Sequence, residues 1–209
     1  MPTVRRLSDS CVLVTTDDAA TLIDPGAHTF TSGAIDLETI GDVTRVLITH
    51  EHRDHVLPEF LAWLQDRKRS LAVHCNQAVA DLLAGQGLMA STDNPPGVTA
   101  EDVTHETTPA GTAPPNRAFT VEGTFTHPGD SYQPTSTAPI LALPLITPWG
   151  SATRAVDFAR RLGPAQVIPV HDFYLSPSGR DFITSMVKGV LEKAGIELLP
   201  HGWGESISW

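Results

Sequence analysis

The sequence predicts a mixed α/β fold built in layers, and three observations carry that prediction. The first apolar runs come as hairpins, the later ones alternate with segments of helical period, and no internal repeat, low-complexity tract or linker interrupts them. At 209 residues the chain suits a single domain over 1–209 and is long enough to bury a sizeable core.

The elements follow in order. CVLVTT (11–16), two aspartates and AATLIDPG (19–26) read as a β-hairpin closed by a Pro-Gly turn. VTRVLIT (43–49) is a continuous apolar strand. In the next segment (56–67), Leu57, Phe60, Leu61 and Leu64 fall at i, i+3, i+4 and i+7, one face of a helix, with Pro58 tolerated in its first turn. SLAVHC (70–75) is a strand, and Asn76 can cap the helix that follows and ends in glycines. Residues 91–116, rich in Pro, Thr, Gly and Asp, read as a long loop with room for one short strand. A hairpin with a Glu-Gly turn follows over 118–127, then a buried strand over 139–145. A helix over 151–164 stops at Gly163-Pro164, QVIPV (166–170) is a strand, and 180–194 is a helix. That helix places Ile183, Met186, Val187, Val190 and Leu191 on one face; short strands at IELL and SISW end the chain.

Composition narrows the function. Apolar residues are 41% and charged residues 18%, an ordinary globular balance. The formal net charge of −10 disfavours a phosphate-tracking surface or adsorption to an anionic membrane, so no nucleic acid and no membrane partner is expected. No apolar run approaches a membrane span, and the N-terminus is a poor signal peptide. Cys11 and Cys75 stand far apart in no CxxC spacing, so a reducing, cytoplasmic compartment is the default. A homo-oligomer is compatible with all of this.

The chemistry concentrates at strand ends. THEHRDH (49–55) sets His50, His52, Asp54 and His55 directly after an apolar strand and before an amphipathic helix. His127 and Asp130 follow a second strand, in THPGDS, and His171 a third, in PVHDFY. Groups at the C-terminal ends of buried strands can converge on one site. Imidazole and carboxylate together suit zinc, manganese or iron and are too soft a set for calcium. His50 and His52, as alternate residues, can face one ion, while Asp54 and His55 face a second. A lone histidine at a strand end is ordinarily a surface or satisfied core residue, which accounts for His28, His74 and His201. Three histidines and an aspartate within six residues do not fit that account.

HEHRDH (50–55) resembles the HxHxDH signature of the metallo-β-lactamase fold hydrolases. LIDPG (22–26) is similar to the hairpin strand that precedes the signature, HPGDS (127–131) to the segment carrying a bridging aspartate, and IPVHDFY (168–174) to the last ligand motif. The resemblance spans nearly the whole chain and is nearest to a small subgroup that includes ascorbate-6-phosphate lactonase. It implies a four-layered αββα sandwich of two mixed β-sheets flanked by helices. It also implies a dinuclear metal site, with one ion held by His50, His52 and a third histidine, the other by Asp54, His55 and His171, and Asp130 between them. His105 and His127 both lie where the third histidine is sought. His105 has the family's spacing before the aspartate, whereas His127 stands three residues from Asp130 and suits a role in orienting a ligand.

The expected reaction is hydrolysis of a small-molecule ester, lactone or amide by metal-activated water, with zinc as the first choice of ion and manganese or iron as alternatives. Asp54 is the candidate catalytic residue, steering the water or taking a proton. Asp24, Thr49, His127 and Asp172 are candidates to orient ligands; Ser131 is placed to hydrogen-bond the site, and Trp149, Tyr132 and Tyr174 to meet substrate. Cys75 and Ser131 are weaker candidates as covalent nucleophiles. The alternatives are a metal-dependent phosphodiesterase or nuclease and a non-catalytic metal-binding domain. Against the former, Arg53 is the only basic residue in the motifs and occupies a variable position of the signature.

Overall fold

A computed structural model describes residues 2–68, 70–199 and 202–209; His201 lies outside them. The chain divides into two compact units, Met1–Pro96 with Gly202–Trp209, and Gly97–His201. Each contains one mixed six-stranded sheet.

The first unit opens with β1 (Thr3–Ser8), β2 (Cys11–Thr15) and β3 (Ala20–Ile23), an antiparallel meander. The predicted hairpin is the β2–β3 pair, in the register Val12↔Ile23 and Leu13↔Leu22. A short helix, α1 (Ala27–Thr31), leads to β4 (Arg45–Ile48), α2 (Pro58–Arg67), β5 (Ala72–Cys75) and α3 (Gln77–Ala84). β4 lies parallel between β3 and β5, and the final strand, Ser206–Ser208, returns antiparallel to β1. Sequence reasoning missed β1 and α1. β1 carries two arginines and no clean alternation, and one of its two partners, Ser206–Ser208, lies at the far end of the sequence.

Apolar spacing explains α2 and α3. Phe60, Leu61 and Leu64 of α2, and Val79 and Leu83 of α3, join Leu13, Leu22, Val46, Ile48 and Val73 in one core. Each large side chain so buried contributes about 1.5–3 kcal/mol. Pro58 supplies a preset φ in the first turn of α2, and the Asn76 side chain accepts from the Val79 N–H as predicted.

The second unit runs β6 (Val98–Thr104), β7 (Pro115–Val121), β8 (Phe125–His127), β9 (Ile140–Pro144), α4 (Ala152–Leu162), β10 (Gln166–Val170), α5 (Pro177–Glu192) and β11 (Glu197–Leu198). β6, β7 and β8 are antiparallel neighbours, and β8 to β11 are parallel. β9 is buried along its whole length, as a central parallel strand should be. The β7–β8 turn places Glu122 and Gly123 at φ of 50° and 60°, the left-handed pair that a two-residue hairpin turn requires. β6 is the strand for which the expected loop over 91–116 left room; its face alternates burial so weakly that periodicity did not place it.

α4 starts at the Ser151 cap and ends at Gly163, whose φ of 66° is a left-handed stop. It buries Ala155, Val156, Phe158 and Ala159. α5 begins three residues earlier than predicted, at Pro177, because Ser176 caps it. Of its expected apolar face, Val187 and Leu191 are buried, whereas Met186 and Val190 are exposed. The helical period is right, but the buried stripe is only as wide as the contact with α4 and β11.

Parallel pairing positions the functional residues. β3, β4 and β5 point the same way, so Asp24, the segment beginning at Thr49, and Asn76 emerge along one edge of the first sheet. In the second unit, Asp130, Trp149 and His171 follow β8, β9 and β10 at the matching edge of its own sheet. Loops at the C-terminal ends of parallel strands are where such folds build binding sites.

Candidate metal centre

The first unit brings His50, His52, Asp54 and His55 into one turn. The His55 and Val56 N–H groups both donate to the His52 carbonyl at 2.9 Å, folding the turn tightly. His50 Nε2 lies 3.1 Å from His52 Nδ1, and the rings of His50 and His55 have centroids 4.0 Å apart. His55 Nε2 lies 3.8 Å from an Asp54 carboxylate oxygen. The ring of His50 thus lies against those of both His52 and His55, with centroids 4.7 Å and 4.0 Å away.

Asp24 organises this turn. It follows β3 with φ of 52°, a left-handed conformation that aspartate tolerates better than most residues. Its Oδ1 accepts from the Thr49 N–H and its Oδ2 from the Thr49 hydroxyl, each at 2.8 Å. Oδ2 also accepts from His55 Nδ1 at 2.7 Å. Because the Thr49 hydroxyl donates to Asp24, it accepts from His50 Nδ1, 3.0 Å away. Both histidines thus carry the proton on Nδ1, while Nε2 of His50 lies toward His52 and Nε2 of His55 toward Asp54. Asn76 Nδ2 fixes the Thr49 carbonyl at 3.1 Å.

The second unit gathers His105, Asp130 and His171. His105 Nε2 and His171 Nε2 lie 3.2 Å and 3.1 Å from the same oxygen, Oδ2 of Asp130. Trp149 Nε1 donates to that oxygen at 2.8 Å. Backbone contacts fix the geometry. Asn116 accepts from the Asp130 N–H at 3.1 Å, and the Glu106 N–H donates to the Asp130 carbonyl at 2.8 Å. His171 has φ of 61°, a strained conformation for a histidine and one that clusters at functional sites.

Of the two third-histidine candidates, His105 is the one that meets Asp130. His127 is buried in β8 and accepts from the Gly129 N–H through Nδ1 at 3.1 Å, holding the turn before Asp130. Ser131 donates to the Thr104 carbonyl at 2.8 Å and so ties Asp130 to the strand before His105. Tyr132 donates to the Pro144 carbonyl and is buried. Tyr174 is 73% exposed against Phe173, so it is no core residue. Asp172 is buried, 4.0 Å from Arg180. Cys75 is fully buried, as expected of a packing residue.

The donor chemistry fits a metal ion. The Glu106 carbonyl can only accept, so His105 Nδ1 donates to it. His105 then turns Nε2 toward the Asp130 carboxylate, 3.2 Å away, a nitrogen and an oxygen of the types that ligate metal ions. His50 and His52 in the first unit, and His105 and Asp130 in the second, each offer a ligand atom of the kind a metal ion takes. Imidazole and carboxylate oriented by buried hydrogen bonds are what zinc-type ligands need.

His28, expected to be a surface or satisfied core histidine, is satisfied by Asp9. Its Nδ1 lies 2.6 Å from Oδ2 of Asp9, a partner 19 residues away that no local pattern reveals.

Solved structures share this architecture. Igni18, a metallo hydrolase from the hyperthermophilic archaeon Ignicoccus hospitalis, superposes with a TM-score of 0.74 at 16% identity over 99% of this chain and 97% of its own. YhfI of Bacillus subtilis, a metallo-β-lactamase fold protein, does so with a TM-score of 0.69 at 15% identity, over 99% and 98%. Protein Rv0786c of Mycobacterium tuberculosis (strain ATCC 25618 / H37Rv) is 28% identical over 192 residues, 82% of this chain and 84% of the relative. These likenesses define the class by its fold, that of the metallo-β-lactamase proteins. Residues 3–171 match the β-lactamase superfamily domain, and the chain belongs to that family.

Proposed function

We propose that this protein hydrolyses a small-molecule ester, lactone or amide, with His50, His52, Asp54 and His55 of the first unit and His105, Asp130 and His171 of the second as its metal ligands. The observation that carries the reading is the donor arrangement, in which histidines with protonated Nδ1 present Nε2 beside carboxylates. Two ions are proposed, zinc being the best match to imidazole and carboxylate.

A bound divalent ion of this kind supplies Lewis acidity and lowers the pKa of a coordinated water towards about 7. The protein's own residues do the rest. Asp54, half-buried in the signature turn, orients the attacking water and takes its proton. The water oxygen bonds to the carbonyl carbon, the bond to the leaving oxygen or nitrogen breaks, and the leaving group receives the proton from Asp54. Asp24 holds His55, and Trp149 holds Asp130, so little reorganisation accompanies reaction.

Charge supports a small substrate without several phosphates. The formal net charge is −10. Arg154 pairs with Glu106, and Arg180 lies 4.0 Å from Asp172, so the guanidinium groups near the second unit's donors are engaged by carboxylates. The lactone arm rests on the resemblance to the lactonase-containing subgroup.

Metal analysis of the purified protein, coupled to a screen of lactones, esters, amides and phosphodiesters, tests the proposal. Asp54→Ala should lower kcat/KM by about 100-fold or more on the best substrate while the protein stays folded. Full activity in Asp54→Ala, or in chelated protein, would place the chemistry elsewhere. Preference for the phosphodiester would replace the substrate class.

A further inference from the structure

The turn between β1 and β2 carries Asp9 in a left-handed conformation, φ 52°, and Asp9 is buried. Its carboxylate can only accept, so the 2.6 Å contact with His28 Nδ1 is a hydrogen bond donated by the histidine. That bond fixes the imidazole. One ring nitrogen of His28 and one carboxylate oxygen each of Asp9 and Asp54 lie within 4.8 Å of one another.

The backbone holds these groups together independently of the side chains. The Ala27 N–H donates to the Arg53 carbonyl at 2.9 Å, and the Leu57 N–H donates to the Pro25 carbonyl at 3.1 Å. Between them Gly26 lies so close to the signature turn that a Cβ there would stand 1.7 Å from the Asp54 carbonyl oxygen. Residues 24–28 therefore form a strap along the turn. Asp24 grips His55 at one end and His28 faces Asp54 at the other. The hydroxyls of Ser8 and Thr29, 2.8 Å apart, tie the β1–β2 turn to the same helix as His28.

We propose that His28, oriented by Asp9, is a positioning residue that sets the carboxylate of Asp54. A metal ion placed between Asp9 and His28 Nδ1 would have to displace the proton of their short hydrogen bond, so that contact serves to orient His28 toward Asp54. The proposal rests on the reading of Asp54 as a metal ligand and extends it to two residues outside the signature.

The test is zinc affinity of the full chain, measured by competition with a chromophoric chelator, with melting temperature recorded for each variant. His28→Ala should weaken zinc binding by about 10–100-fold, the usual effect of removing a group that orients a ligand. In an Asp54→Asn background the same change should cost nothing further, because the residue through which it acts is already disabled. His28→Gln carries the same comparison if His28→Ala fails to fold. Unchanged zinc affinity in the His28 variant, or an equal loss in both backgrounds, overturns the positioning role while leaving Asp54 as ligand. Zinc affinity unaltered in Asp54→Asn alone overturns the ligand assignment itself.

Discussion

Oδ2 of Asp24 lies 2.7 Å from Nδ1 of His55, and both side chains are fully buried. The same oxygen accepts from the Thr49 hydroxyl, while Oδ1 accepts from the Thr49 N–H. Asp24 thereby sets the tautomer of His55 directly and that of His50 through Thr49.

Asp24→Asn should disturb both histidines. Asparagine can keep one oxygen for the Thr49 N–H, but its amide then faces two donors, the Thr49 hydroxyl and His55 Nδ1. Zinc affinity should fall by about 10–100-fold, as with other outer ligands of metal-binding histidines. Stability should fall by about 1–3 kcal/mol, the cost of a buried donor left without its acceptor. Urea denaturation and chelator competition measure the two effects. Wild-type values in both would mean that the pairing does not govern His55.

Alkaline pH should destabilise the protein. Burial pushes the Cys11 thiol well above its ordinary range, and burial likewise raises the Tyr132 phenol. Both groups stay protonated in the folded state where the unfolded chain would ionise, near pH 8.5 for cysteine and 10 for tyrosine. The folded state then binds more protons, so stability is fully present below about pH 8.5 and declines as pH rises beyond it. Urea midpoints of metal-free protein between about pH 7.5 and 10.5 should drop, and Cys11→Ala should remove the part that begins near pH 8.5. Native protein should also resist alkylation at Cys11 at pH 8. A flat profile, or rapid alkylation of the folded chain, would contradict the burial of these groups.

The legible features were those encoded within a few residues. The signature turn announced itself because His50, His52, Asp54 and His55 are neighbours in sequence. α2 and the β2–β3 hairpin were legible from period and turn chemistry. Asp9 and His28 were not, because their 2.6 Å contact joins a turn to a helix 19 residues on, and each residue alone looks ordinary. The place of β6 within 91–116 was hidden by its Thr, Glu and Asp content; its pairing with β7 over seven register positions outweighs weak intrinsic preference. Met186 and Val190 show the converse, since helical period marks a face but not how much of it is covered.

Trp149 offers the sharpest separation of packing from orientation. Its indole N–H donates to Asp130 Oδ2 at 2.8 Å, the oxygen that also meets His105 and His171. Its ring lies 5.6 Å from that of His105, 5.9 Å from that of His171 and 5.1 Å from that of Tyr132. Arg154 steadies its carbonyl at 3.3 Å and pairs with Glu106. Phenylalanine would keep much of the ring packing and lose only the donor. Trp149→Phe should therefore leave the fold intact, with a stability loss of about 1.5–3 kcal/mol for a hydrogen bond to a charged acceptor. Zinc binding should weaken by about 10-fold or more, because Asp130 loses the group that fixes its rotamer. Trp149→Ala, which also removes the packing, should cost more stability without a matching further loss of zinc. Chelator competition and urea denaturation on both variants read these quantities apart. Unchanged zinc affinity in Trp149→Phe, alongside a loss in Trp149→Ala, would assign the residue to packing alone.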